Sequence, residues 1–147
     1  MISWSSFLIL AHLIGLALGI GCATAKLALL ARCRTDPAFV PTYVAVARPI
    51  TRLIILGLIL LTLSGVGWLF AGFPFTRLLI VKLVLVGVIW VLGPVIDNIV
   101  EPRFVQLAPA AGAPASAAFM GAQRQYLLLE ATATGLFYAV VIMWTLL

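Results

Sequence analysis

Charge is what this sequence has least of. Asp and Glu together number four and Lys and Arg nine in 147 residues, so charged side chains make up 9% of the chain. Soluble domains carry about 25%, and a water-exposed globular fold is therefore excluded. Histidine occurs once and cysteine twice. Cys22 and Cys33 are too far apart along one helix to bridge, and there is no CxxC pair, so neither a disulfide nor a thiol metal site is expected. No carboxylate falls near His12, which leaves no Ser-His-Asp set. The glycines at 65 and 67 are too short a run for a phosphate loop.

What the chain has is apolar length: 65% hydrophobic residues and a mean hydropathy of +1.26. Four continuous apolar runs, about residues 7–30, 50–70, 78–96 and 126–147, each approach the ~20 residues a helix needs to cross ~30 Å of hydrocarbon. Helices satisfy their own backbone, so the expected fold is all-α, a single four-helix transmembrane bundle spanning residues 1–147. A β-barrel would need short alternating segments instead. The net charge of +5 follows membrane side and does not imply a nucleic-acid partner. Lys26, Arg32, Arg34, Arg48, Arg52, Arg103 and Arg124 fall on one face and Arg77 and Lys82 on the other, which predicts both termini away from the cytoplasm of a bacterial-type inner membrane. Trp4, Trp68 and Trp144 fall near the non-cytoplasmic ends, as an interfacial belt would place them. The first run lacks a positive n-region and has its arginines after it, so it is expected to stay as a helix.

Proline and glycine mark the connections. Asp36-Pro37 and Pro41 predict a cytoplasmic turn between Arg32 and Ala47. Gly72 and Pro74 predict a tight link over residues 71–76 that makes the second and third helices antiparallel neighbours. From Asp97 the chain passes through Glu101-Pro102-Arg103 into an Ala/Pro/Gly-rich segment, read as a mobile cytoplasmic linker over about residues 104–123. On the first helix His12, Gly15, Gly19, Ala23 and Lys26 recur at spacings of three and four. They form one stripe whose glycines admit a neighbouring backbone and which must face protein.

Ionisable groups at membrane depth persist where they pair, line a cavity or perform a function. Counting from the helix ends puts His12 and Lys82 in one layer, about two turns below the outer surface, with Ser64 and Gly65 at the same level. Lys26 and Glu130 form a second, opposite layer, as a structural ion pair or as a proton route. A lone buried histidine bonded to a hydroxyl such as Ser64 is one reading of His12. The other is axial ligation of a haem iron, with Gly15, Gly19 and Gly65 admitting the flat macrocycle. Lys82 is then a second ligand or a propionate partner, with Met143 ranking behind it.

The motifs Leu10-Ala11-His12, Leu63-Ser64-Gly65 and Val81-Lys82-Leu83, with the segment Arg124 to Glu130, resemble the HemJ-type protoporphyrinogen oxidases and the related CopD-like membrane domains over most of the chain. The resemblance implies haem b on His12 and activity dependent on Lys82. The resulting expectation is a haem-binding membrane oxidoreductase with His12 as metal ligand and Lys82 and Glu130 as catalytic residues. Its electrons would pass to a quinone or another haem protein. The alternative is a non-catalytic accessory or assembly subunit of a larger membrane complex, or a homo-oligomer, whose glycine faces pack on partner helices. Transport of copper or a small solute is the weakest reading, because the methionines and cysteines do not cluster around His12.

Overall fold

The computed structural model describes residues 3–110 and 113–143 of the chain, and within them it is a helical bundle. Helix α1 runs Trp4–Thr35, α2 Val40–Phe70, α3 Arg77–Val95, α4 Glu101–Leu107 and α5 Ala117–Ile142. A π turn, Ile96–Val100, joins α3 to α4, so Arg77–Leu107 is one rod. Four helical segments are thus long and apolar enough to cross a membrane, and the chain is a multi-pass helical membrane protein. At 1.5 Å per residue, α1 is about 48 Å long and overreaches ~30 Å of hydrocarbon.

The starts of three helices are chemically marked. Ser3, Thr76 and Ser116 each accept the amide of the residue three further on through the side-chain oxygen, which satisfies a donor that the first turn leaves unpaired.

The helices outlast the apolar runs. Between α1 and α2 only Asp36 and a 3-10 turn, Pro37–Phe39, remain, where a turn from Arg32 to Ala47 was expected. Pro41 lies in the first turn of α2, where its missing N–H is harmless, and Pro49 is absorbed inside the helix. The third connection is likewise shorter than read. Residues 97–107 are helical, Pro102 opening α4, and α5 starts at Ala117. What remains of the linker is 108–116, of which 111–112 lie outside the described residues, as do Trp144 and the last part of the fourth predicted span. Trp4 is exposed and Trp68 half-buried.

Helices α1 and α2 form the most extensive pair. A Cβ on Gly57 would meet Gly15 O and Gly19 Cα at 2.8 Å and lie closer still to Gly19 N, and one on Gly15 would meet Leu61 Cγ at 2.9 Å. Glycine at 15 and 57 is what lets the two backbones touch. Helix α3, in contrast, packs chiefly on α5 and little on α2 despite the short 71–76 link. The small-residue face of α2 is taken by α1. Toward α3 the helix presents Arg48, Arg52, Ile54 and Ile55, and these line a cleft. A Trp90 Nε1–H to Thr62 Oγ1 hydrogen bond of 3.1 Å bridges the two helices.

The core is concentrated toward the linker end. Tyr43, Phe104, Phe119 and Tyr126 stack edge-on or tilted with centroids 5.2–6.2 Å apart, packed with Leu30, Cys33 and Val100. A smaller cluster of Ala23, Leu58, Ile89 and Phe137 fills the middle. Ile89 is the one buried residue of α3.

Candidate functional site

The register of α1 against α2 places two polar layers at opposite ends of the bundle. His12 and Lys26 are about 21 Å apart along α1, with the mid-bundle apolar cluster between them.

In the layer toward the termini, His12 Nδ1 lies 2.8 Å from Ser64 Oγ. The Ser64 hydroxyl points its single proton at the Leu60 carbonyl, 2.7 Å away, with the Leu61 carbonyl at 3.1 Å. Nδ1–H is therefore the donor to Ser64, and Nε2 carries the imidazole lone pair when the ring is neutral. Lys82 is half-buried and within electrostatic reach of the ring, so counting by depth brought together His12, Ser64 and Lys82. The glycines divide. A Cβ on Gly15 would crowd Leu61 and Gly57 and one on Gly19 would touch Phe137 and Leu61, whereas one on Gly65 would meet nothing among the described residues within 4 Å. A macrocycle does not fit along the α1 glycine stripe, because α2 fills that space. The nitrogen itself suits an axial ligand, and the open flank is the side of Gly65. Among the described residues no three His, Cys, Asp or Glu side chains gather as a metal site.

The second layer holds the denser chemistry. Lys26, 1% exposed, reaches Glu130 Oε1 at 2.7 Å, Glu101 Oε2 at 2.9 Å and Asp97 Oδ1 at 3.3 Å. An ammonium has three protons to give, and three carboxylates surround it. Tyr126 donates its hydroxyl to Glu101 Oε2 at 2.7 Å, and Tyr43 donates to the Tyr126 oxygen at 2.8 Å. The Lys26 ammonium also lies 5.6 Å from the centre of the Tyr126 ring, close enough for a cation–π attraction. The chain Tyr43, Tyr126, Glu101, Lys26, Glu130 thus links α2, α5, α4 and α1 through buried side chains. With every carboxylate ionised, the centre carries two more negative charges than positive ones. The Thr134 hydroxyl, one turn beyond Glu130, is buried without a hydrogen-bond partner among the described residues.

Beside the centre a cleft of about 420 Å³ opens between α2 and α3. Its polar lining is Lys26, Asp97, Glu101 and Glu130 together with Arg48, Thr51, Arg52 and Asn98. Its apolar walls include Ile54, Leu58, Ile89, Trp90 and Phe137. The expected pairing of Lys26 with Glu130 is present. Asp97, Glu101, Tyr43 and Tyr126 are additions that reading by apolar runs did not assign to it. A usable signal existed for two of them, since Asp97 lies as far from Thr76 as Lys26 does from Ser5, and Glu101 falls one turn further on the same face.

These features define the class of the protein as a helical bundle with an ion cluster buried at one end. Comparison with protein-family models, curated proteins and solved structures gave no match for the chain.

Proposed function

We propose that this protein is a multi-pass inner-membrane protein, both termini away from the cytoplasm, that exchanges protons with a ligand held in the cleft between α2 and α3. The observation that carries the reading is Lys26, sealed from solvent, in contact with three carboxylates that also line an open cleft. Ionisable groups at such depth are costly and mark pathways or binding sites. Three carboxylates around one ammonium can hold a proton that moves among them, and Glu101, Tyr126 and Tyr43 continue the hydrogen-bonded path toward the linker end. Glu130 and Asp97 are the groups that would meet the ligand.

Infrared titration of the purified protein in liposomes tests this. A protonated-carboxyl band that grows and fades across the physiological range of pH, and that is lost in Glu130→Gln, is expected. Carboxylates that stay ionised throughout would make the centre a fixed structural cluster and sink the reading.

A second reading, the haem-binding oxidoreductase that the HemJ-like motifs imply, is favoured by one observation, the Nδ1–H bond to Ser64 that leaves Nε2 of His12 as a donor atom. His12 would hold the iron, with Lys82 as second ligand or propionate partner and Gly65 on the open flank. The group would supply one-electron chemistry, exchanged with a quinone or haem protein. A Soret band in protein isolated with haem, absent in His12→Ala, is expected; a colourless protein after haem supplementation would refute it.

A further inference from the structure

The register set by Gly15 against Leu61 and Gly19 against Gly57 continues to put Ile50 opposite Lys26. Arg48 and Arg52 therefore bracket the level of the ion cluster, each about 3 Å from it along α2. Both are exposed, both line the cleft, and neither makes an ion pair or hydrogen bond among the described residues. On the facing wall Asp97 uses one oxygen on Lys26, and its side chain is 24% exposed. Lys26 itself is 1% exposed and held among three carboxylates. The cleft thus offers two guanidinium forks on one side, a partly engaged carboxylate on the other, and apolar walls at Ile55, Leu58 and Trp90 leading toward mid-membrane.

We propose that this cleft binds a membrane lipid whose headgroup carries a phosphate next to a primary amine. Arg48 and Arg52 take the phosphate, Asp97 takes the ammonium, and an acyl chain lies along the apolar wall. Guanidinium forks match phosphate oxygens bidentately, and basic pockets between spanning helices hold lipid headgroups. A purely anionic headgroup would leave the excess negative charge of the three carboxylates uncompensated, whereas the zwitterion answers both signs. Gly93, on the α3 side of the cleft, has nothing within 4 Å of where a Cβ would stand, so the space is open from that wall too. The inference concerns the occupant of the cleft named under the proposed function, and it does not need the centre to exchange protons.

Native mass spectrometry of the whole protein, with equimolar phosphatidylethanolamine, phosphatidylcholine and phosphatidylglycerol, provides the test. Wild type is expected to retain phosphatidylethanolamine at least fivefold over the other two. Free phosphoethanolamine should bind at least tenfold more weakly, because it has no chain for the apolar wall. Asp97→Asn should erase the preference over phosphatidylcholine while keeping phospholipid binding. The double variant Arg48→Gln, Arg52→Gln should lose binding of all three. Gly93→Leu, which fills the cleft without changing charge, should lose it too. Equal retention of the three lipids by wild type, or unchanged binding in folded Gly93→Leu or in the double arginine variant, would overturn the assignment. A negative infrared titration alongside positive lipid selectivity would sink only the proton-exchange reading.

Discussion

Methionine in place of Lys26 would keep most of the side-chain volume and remove the only cation among the described residues within contact distance of Asp97, Glu101 and Glu130. Taking one partner from a buried ion set leaves uncompensated charge and costs about 3–5 kcal/mol. Lys26→Met is therefore expected to lower the thermal unfolding temperature in detergent sharply. Glu130→Gln, which leaves the ammonium two carboxylates, should lower it less. An unchanged unfolding temperature in Lys26→Met would show that Lys26 acts through packing alone. At this scale the sequence was partly readable. Depth counting paired Lys26 with Glu130 and His12 with Ser64, because an ionisable or polar group on a long apolar helix has a definite height. Asp97 escapes because it lies one residue beyond the apolar run ending at Ile96, and Glu101 because the charge before Pro102 reads as part of the linker. In the fold, Pro102 follows the π turn inside the rod Arg77–Leu107, and the widened turn before it accommodates the missing N–H.

For elements, the glycines separate by what they touch. Gly57 has α1 backbone where its Cβ would be, while Gly87 on α3 has nothing within 4 Å. Gly57→Ala is expected to destabilise by about 1–3 kcal/mol through overpacking. Gly87→Ala should be neutral or slightly stabilising, as glycine is a poor helix former; the pair is compared by thermal unfolding. The glycine stripe was legible as a packing face. Its partner was not, since spacing gives the face of a helix but not which neighbour covers it. The π turn at Ile96–Val100 is a second element-scale feature, equivalent to one residue inserted into an α-helix. Asn98 is exposed there, its side chain bonded to the Pro94 carbonyl at 2.9 Å. Deleting Asn98 should convert the turn to α-helix and keep Asp97 and Glu101 facing Lys26. Deleting Val88, in the regular part of α3, should swing everything beyond it by about 100° and abolish folding. Size-exclusion profiles of the two deletions in detergent distinguish these outcomes.

For the molecule as a whole, an even number of crossings puts the start of α1 and the end of α5 on one membrane face, and the proposed orientation, with that face away from the cytoplasm, rests on the arginine distribution. A cysteine at Ser116, in a background without Cys22 and Cys33, is expected to react with an impermeant maleimide only after the cytoplasmic face is exposed. One at Ser5 should react from the opposite face. The reversed pattern would invert the proposed orientation. Crossing number and membrane class were readable from composition because the bilayer sets a length that the apolar runs must meet. Helix ends were not, since α1 and α2 continue past hydrocarbon into a region where their packing is aromatic.

That aromatic packing makes the bundle mechanically one-sided. Tyr43, Phe104, Phe119 and Tyr126 bind the helices together at one end, while α3 contributes a single sealed side chain, Ile89, over the rest of its length. A rod clamped at its foot and held above it chiefly by α5 can lean away from α2 without breaking its clamp. Outward lean of α3 about the π turn would widen the gap to α2 where Trp90 and Thr62 now bridge it. The entrance for anything arriving from the lipid phase would then be set by one indole hydrogen bond.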